Sequence, residues 1–126
     1  MLLKELLLIA LGGSLGAVSR YGIGQLTARW YPGHFPLGTF MINVAGSFFI
    51  GLLFVLIVER IKLHADLRYV FMVGFLGAFT TFSSFSLETI NLLQNGRLFL
   101  ASSYVLASVV ICLLATWLGI VLGRMI

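Results

Sequence analysis

Tyr104, Ser108, Cys112 and Thr116 recur at intervals of four residues, which puts them on one face of an α-helix. Such a file presents hydrogen-bond donors to a small solute travelling along the helix axis, or else spends them on the helix's own carbonyls. Asn43 is a lone amide within the apolar stretch from Gly38 to Gly46, and reads either as an interhelical hydrogen bond or as a donor to a bound ion. The richest segment is Gly74 to Glu88, which carries two glycines, five hydroxyls, four phenylalanines and one carboxylate. Its Thr80-Thr81 pair, following Gly77, predicts a break in the helix. At membrane depth a break is tolerated only where the freed carbonyls find a partner, and a bound cation is one such partner. Phenylalanine edges carry partial positive charge, so Phe82 and Phe85 either line the path of an anion or form an apolar ridge.

The inventory argues against catalysis. There are four acidic residues, two histidines and one cysteine, with no paired carboxylates and no Cys/His spacing that would make a nucleophile and base. No enzyme is expected. A single cysteine forms no intrachain disulfide and builds no multi-cysteine metal site. Eight basic residues are scattered singly, without the cluster that neutralises several phosphates, so no nucleic-acid partner is expected. Arg20, late in the first span, either raises anion concentration in a vestibule or snorkels to the interface. Glu88 is expected near a water-filled mouth or beside a cation, and His34 and His64 in solvated loops.

The elements that position these groups follow from composition. Of 126 residues, 60% are apolar and 10% charged, with a mean hydropathy of +1.10, against about 25% charged in soluble domains. So few polar groups cannot cover a small protein's surface, so apolar side chains must face lipid. A membrane-crossing helix needs about 20 apolar residues, and the charges divide the chain into four such pieces. The expected fold is an all-α integral membrane domain over residues 1–126, with spans at 5–27, 38–58, 69–93 and 99–123. The start reads as a retained first helix rather than a cleaved signal peptide.

An even number of spans puts both termini on one side. Lys4, Arg60, Lys62, Arg68 and Arg124 fall there, and Arg20, Arg29 and Arg97 opposite, which is a weak orientation bias. Gly12, Gly16 and Gly24 share a stripe of helix 1, and Gly119 and Gly123 form a small-xxx-small pair in helix 4. We assign these glycines to assembly. No internal repeat is evident, so symmetry would come from a second copy.

The chain resembles the Fluc (CrcB-type) fluoride channels. The resemblance rests on Gly12-Gly13-Ser14-Leu15-Gly16-Ala17-Val18-Ser19-Arg20-Tyr21, on Gly38-Thr39 with Asn43, Gly46 and Gly51, and on Gly74 to Ser86 with its Thr-Thr-Phe-Ser-x-Phe-Ser core. It implies an antiparallel, dual-topology homodimer in the cell membrane, with two fluoride pores and a structural sodium ion. By position Phe82 and Phe85 resemble the pore phenylalanines, with Ser83 between them, and Asn43 resembles the pore amide. Tyr104, Ser108 and Thr116 resemble the polar track, and Gly77 and Thr80 the backbone-carbonyl sodium ligands. Two positions depart from the pattern. Ser84 stands where threonine is common, and Cys112 where a serine-like residue belongs. The implied function is passive fluoride export that gives fluoride resistance. The alternative is a small multidrug-type, proton-coupled exporter, although helix 1 lacks the mid-span acid such a protein needs.

Overall fold

The computed structural model describes every residue from Met1 to Ile126. Four helices are long and apolar enough to cross a membrane: α1 (Leu2–Trp30), α2 (Leu37–Glu59), α3 (Arg68–Gln94) and α4 (Leu98–Met125). Each runs one to three residues beyond its expected span. Backbone hydrogen bonding continues until a turn stops it, whereas the apolar pattern ends at the first charge. The end of α2 (Phe54–Glu59) and the start of α3 (Arg68–Leu76) are wound as wider π-helix.

The connections are tight for identifiable reasons. Between α3 and α4, Gly96 adopts φ +75°, while its N–H donates to Leu93 and that of Arg97 to Leu92. This is the glycine-terminated helix end that caps the last free carbonyls. After α2 the N–H groups of Lys62 and Leu63 both donate to the Leu56 carbonyl. That turn puts Ile61 at φ 52°, a left-handed conformation rare for a β-branched residue.

Both termini and the α2–α3 connection gather at one end, where charge pairs tie them. Lys4 Nζ lies 2.6 Å from Asp66, and Lys62 donates to the Ile126 carbonyl. Arg124 makes a two-pronged contact with Glu59, both bonds 2.9 Å. The hydrogen bond from Lys4, reinforced by its charge, holds the Asp66 carboxyl below the ordinary aspartate value.

Two helix pairs make the bundle. α1 lies against the first half of α3, with Gly12 and Gly16 buried. A Cβ at Gly12 would run into the Val70 carbonyl, and one at Gly16 into that of Phe75. α2 lies against α4 in the same way: Gly119 faces the Phe48 carbonyl, Gly51 that of Thr116, and Gly123 the Val55 side chain. Gly12, Gly16, Gly119 and Gly123 are therefore used within the chain, which corrects their assignment to contacts between copies. Gly24 has open space where a Cβ would go. Spacing shows that a backbone can approach but not whose backbone does.

Only 16 of 126 residues are buried. A four-helix chain leaves most of its apolar surface outward, as a lipid-facing protein must.

Candidate functional site

The site begins where α3 loses its helical hydrogen bonds. The last regular one runs from the Thr80 N–H to the Leu76 carbonyl at 3.0 Å. Thr80 (φ −78°, ψ 156°) and Thr81 (φ −152°, ψ 114°) are extended, and helix resumes at Phe82. The Thr81 hydroxyl starts that second segment by accepting from the Ser84 N–H at 3.1 Å, the side-chain cap that threonine commonly supplies.

Each freed backbone group raises the question of a partner, because in hydrocarbon an unmet one costs several kcal/mol. Asn43 supplies two answers from α2: its Oδ1 accepts from the Thr81 N–H at 2.8 Å and its Nδ2 donates to the Thr81 carbonyl at 3.1 Å. Arg20 supplies a third from α1, with Nε donating to the Ala78 carbonyl at 3.0 Å. Instead of reaching for an interface, its guanidinium is directed at the break. No side-chain hydrogen bond, and no main-chain one outside the helices, goes to the carbonyls of Gly77, Phe79 or Thr80.

The α4 file divides in two. Its ends are committed: Tyr104 Oη donates to Glu88 at 2.9 Å, and Thr116 Oγ1 to the Ser47 carbonyl at 2.8 Å. Its middle is free. Ser108 Oγ is buried without a hydrogen-bond partner, and the Cys112 thiol is free and half-buried.

These partners expose a file that the sequence reading missed. Thr39, Asn43 and Ser47 also recur every four residues, along the face of α2 turned to α3 and α4. Thr39 Oγ1 donates to Glu88 at 2.9 Å, so Glu88 holds the Thr39 and Tyr104 hydroxyls together. The four-residue spacing was visible and could have revealed this file. The Ala78 carbonyl that receives Arg20 has no side-chain signature and could not have been found.

Two cavities follow the files. One of about 480 Å³ is lined by Asn43, Gly77, Thr80, Thr81, Phe82, Phe85, Ser108 and Cys112, among others. It brings together most of the residues singled out above, from α2, α3 and α4. Tyr104 and Thr116 lie outside its lining. The other, of about 560 Å³, opens at the α1–α2 connection and is lined by His34, Thr39, Glu88, Asn91 and Arg97, among others. Glu88 thus borders a mouth, with hydroxyls rather than a cation as its direct partners.

The rings sit at the groove's edge. Phe82 and Phe85 are 5.4 Å apart and tilted by 49°, and Phe85 lies 5.0 Å from Tyr104. Phe82 is 77% exposed, so its ring projects from the protomer instead of filling its core. Ser83 is exposed beside it, its hydroxyl 3.3 Å from that of Thr81.

Groups of three or more His, Cys, Asp or Glu side chains fit to hold a metal are absent. The oxygens at the break are main-chain carbonyls, those of Gly77 and Thr80 among them, and the hydroxyls of Thr80 and Thr81. Hard monovalent ions suit such donors, whereas calcium and magnesium recruit carboxylates and water.

An all-helical chain with four membrane-length helices and a donor-lined groove between three of them is a multi-pass membrane protein built to handle a small solute. The chain belongs to the CrcB family: the model described as "CrcB-like protein, Camphor Resistance (CrcB)" matches residues 7–120. A Magnetococcus marinus protein named "Fluoride-specific ion channel FluC" is 49% identical over 118 residues, covering 94% of this chain and 96% of that relative. A Hahella chejuensis protein of the same name is 47% identical over 126 residues, 100% of this chain and 99% of the relative. A Methylococcus capsulatus relative, also so named, is 49% identical over 120 residues, and this chain spans 53% of its length. Neither the family match nor these names gives the exporter reading any support.

Proposed function

We infer that the chain is a fluoride-specific channel, carrying fluoride passively down its gradient across the cell membrane and so lowering internal fluoride. The observation that carries this reading is the groove in which Asn43, Ser108, Phe82 and Phe85 converge, in a chain nearly half identical to proteins named as fluoride-specific channels.

Fluoride is small and strongly hydrated, so a path for it must replace water with donors at successive steps. Asn43 spends one amide hydrogen on the Thr81 carbonyl and keeps the other. Its bond to the Thr81 N–H fixes the amide's orientation, so the remaining hydrogen has a set direction. The Ser108 hydroxyl is buried and uncommitted, so it breaks no existing hydrogen bond when it donates. Tyr104 and Thr116 would first have to release Glu88 and Ser47, which makes them the slower steps of the same track. Ser83 and the edges of Phe82 and Phe85 extend the lining with hydroxyl and polarised C–H. Larger, more weakly hydrated halides would gain less from closely spaced donors. The Arg20 charge beside the break favours anions nearby, and Glu88, with both oxygens occupied by hydroxyls, opposes them less than a bare carboxylate would.

The working unit is an antiparallel homodimer of mixed orientation in the cytoplasmic membrane. The exposed Phe82 and the groove open along one side of the protomer support a second copy there. A structural sodium ion at the dimer axis would be held by the Gly77 and Thr80 carbonyls of the broken α3. Bound there, it supplies positive charge to main-chain oxygens that otherwise repel one another.

Purified protein in liposomes tests the reading. Fluoride efflux with chloride retained is expected, and the absence of fluoride efflux would sink it. Replacing sodium and potassium by a large impermeant cation should weaken the dimer or stop the flux. An equally stable, fully active dimer under those conditions would remove the ion from the account.

A further inference from the structure

Apart from Gly96, Ile61 is the only residue at positive φ, and it stands at the end of the bundle that carries both termini. At φ 52° a β-branched residue is strained, whereas glycine or asparagine would hold the same turn at less cost. Packing of the isoleucine side chain could offset that strain, but the chain provides none: Ile61 is 74% exposed. Because α2 ends at Glu59 and α3 begins at Arg68, the connection 60–67 lies where the helices leave the membrane. There an apolar side chain flanked by cations can enter the boundary between headgroups and acyl chains.

The charges on the same connection select the lipid. Each acidic side chain at this end already has a partner: Asp66 pairs with Lys4, Glu59 with Arg124, and Glu5 accepts from Tyr69 Oη. His64 adds a weaker contact to Asp66 at 3.8 Å, and Lys62 donates to the Ile126 carbonyl. Arg60 and Arg68 are exposed, and their side chains make no hydrogen bond or ion pair. The Arg68 guanidinium lies 5.2 Å from the centre of the Tyr69 ring, a contact that leaves its charge in place.

We propose that the α2–α3 connection is a binding surface for an anionic phospholipid, with Ile61 set among the acyl chains and the Arg60 and Arg68 guanidiniums on the phosphate. Guanidinium matches two phosphate oxygens at once. A zwitterionic lipid brings its own cation to the same phosphate and so gains less from two arginines. The inference uses the placement of the helices in a membrane and not the channel reading, and the two can fail separately.

Native mass spectrometry of the protein released from vesicles of equal parts phosphatidylglycerol and phosphatidylcholine would count the lipids it keeps. Wild-type protein should keep phosphatidylglycerol in preference, and Arg60→Gln combined with Arg68→Gln should lower that preference several-fold. Ile61→Asn tolerates the positive φ, so it should stay folded in detergent while keeping less phosphatidylglycerol. Equal retention of the two lipids by wild-type protein would overturn the proposal, as would an unchanged preference in the double arginine variant. Undiminished retention by Ile61→Asn would detach the strained turn from lipid binding and overturn it as well. Displacement of the lipid by inorganic phosphate would have the same force, because the arginines would then hold a free ion. None of these readouts depends on fluoride conduction.

Discussion

α3 and α4 both carry hydroxyls through the membrane and handle the resulting problem in opposite ways. In α4 the backbone stays continuous, so every polar question concerns a side chain, and unanswered ones at Ser108 and Cys112 can be left open as a lining. In α3 the backbone itself gives way at Thr80 and Thr81, and the helix survives because other helices reach in: Asn43 from α2 and Arg20 from α1. Polar side chains in a membrane helix can serve a solute only when the main chain is settled first. Under the proposed function, the carbonyls at the α3 break would suit a cation and the free hydroxyl of α4 an anion.

The support of α4 should be the easiest to destroy. Gly119→Leu drives a branched side chain into the Phe48 carbonyl, and since backbone cannot yield as a flexible side chain does, the cost should reach or exceed the usual overpacking range of about 1–3 kcal/mol. Little folded protein should survive extraction, as read by size exclusion in detergent. A monodisperse species of normal melting temperature would mean that the α2–α4 contact is looser than described.

The support of α3 comes next. Asn43→Asp keeps an acceptor for the Thr81 N–H but sets a carboxylate oxygen against the Thr81 carbonyl, leaving a buried acceptor unmet at about 1–3 kcal/mol. Fluoride efflux should be nearly abolished and the melting temperature lowered. Normal conduction would make Asn43 a replaceable brace and move the anion path elsewhere.

Substituting Ile for Phe82 or Phe85 should lower efflux while leaving oligomer size and thermal stability close to wild type, since the change keeps apolar bulk but removes the ring edge. Unchanged flux in both variants would reduce the rings to packing. Thr116→Val should do least, because interhelical hydrogen bonds in membrane bundles average about 0.6 kcal/mol and Ser47 offers a main-chain carbonyl that water or a neighbour can serve. A drop in melting temperature as large as that of Asn43→Asp would erase the distinction drawn between the two helices.

Asp66 gives a milder contrast outside the membrane. Its carboxyl is held below the ordinary aspartate value by Lys4, so the folded state binds the proton less readily than the unfolded one. The stabilisation is present above the ordinary aspartate value and is lost as pH falls through the lower folded one. Asp66→Asn should flatten the acid limb of a melting-temperature profile without changing conduction at neutral pH.

Much of the site was legible because hydrocarbon makes polar residues conspicuous. The spans, the α4 file, the lone Asn43 and the Thr-Thr pair in α3 could all be marked from residue type and spacing. The α2 file of Thr39, Asn43 and Ser47 was equally periodic but less visible, since Thr39 lies at the helix start and Ser47 among glycines and aromatics. What spacing could not supply was direction. The glycines of α1 and α4 looked like contacts between copies and turned out to seat helices of the same chain.

The sequence by itself determined that this protein lies in a membrane, that four helices cross it, and which few side chains carry donors there, because burial in lipid penalises every polar group that lacks a reason to be present. Only the tertiary structure decided which of those donors are spent and which are free. Arg20 meets Ala78, Asn43 meets Thr81 and Thr116 meets Ser47 through main-chain atoms, and main-chain atoms are the same at every position of a sequence until folding places them.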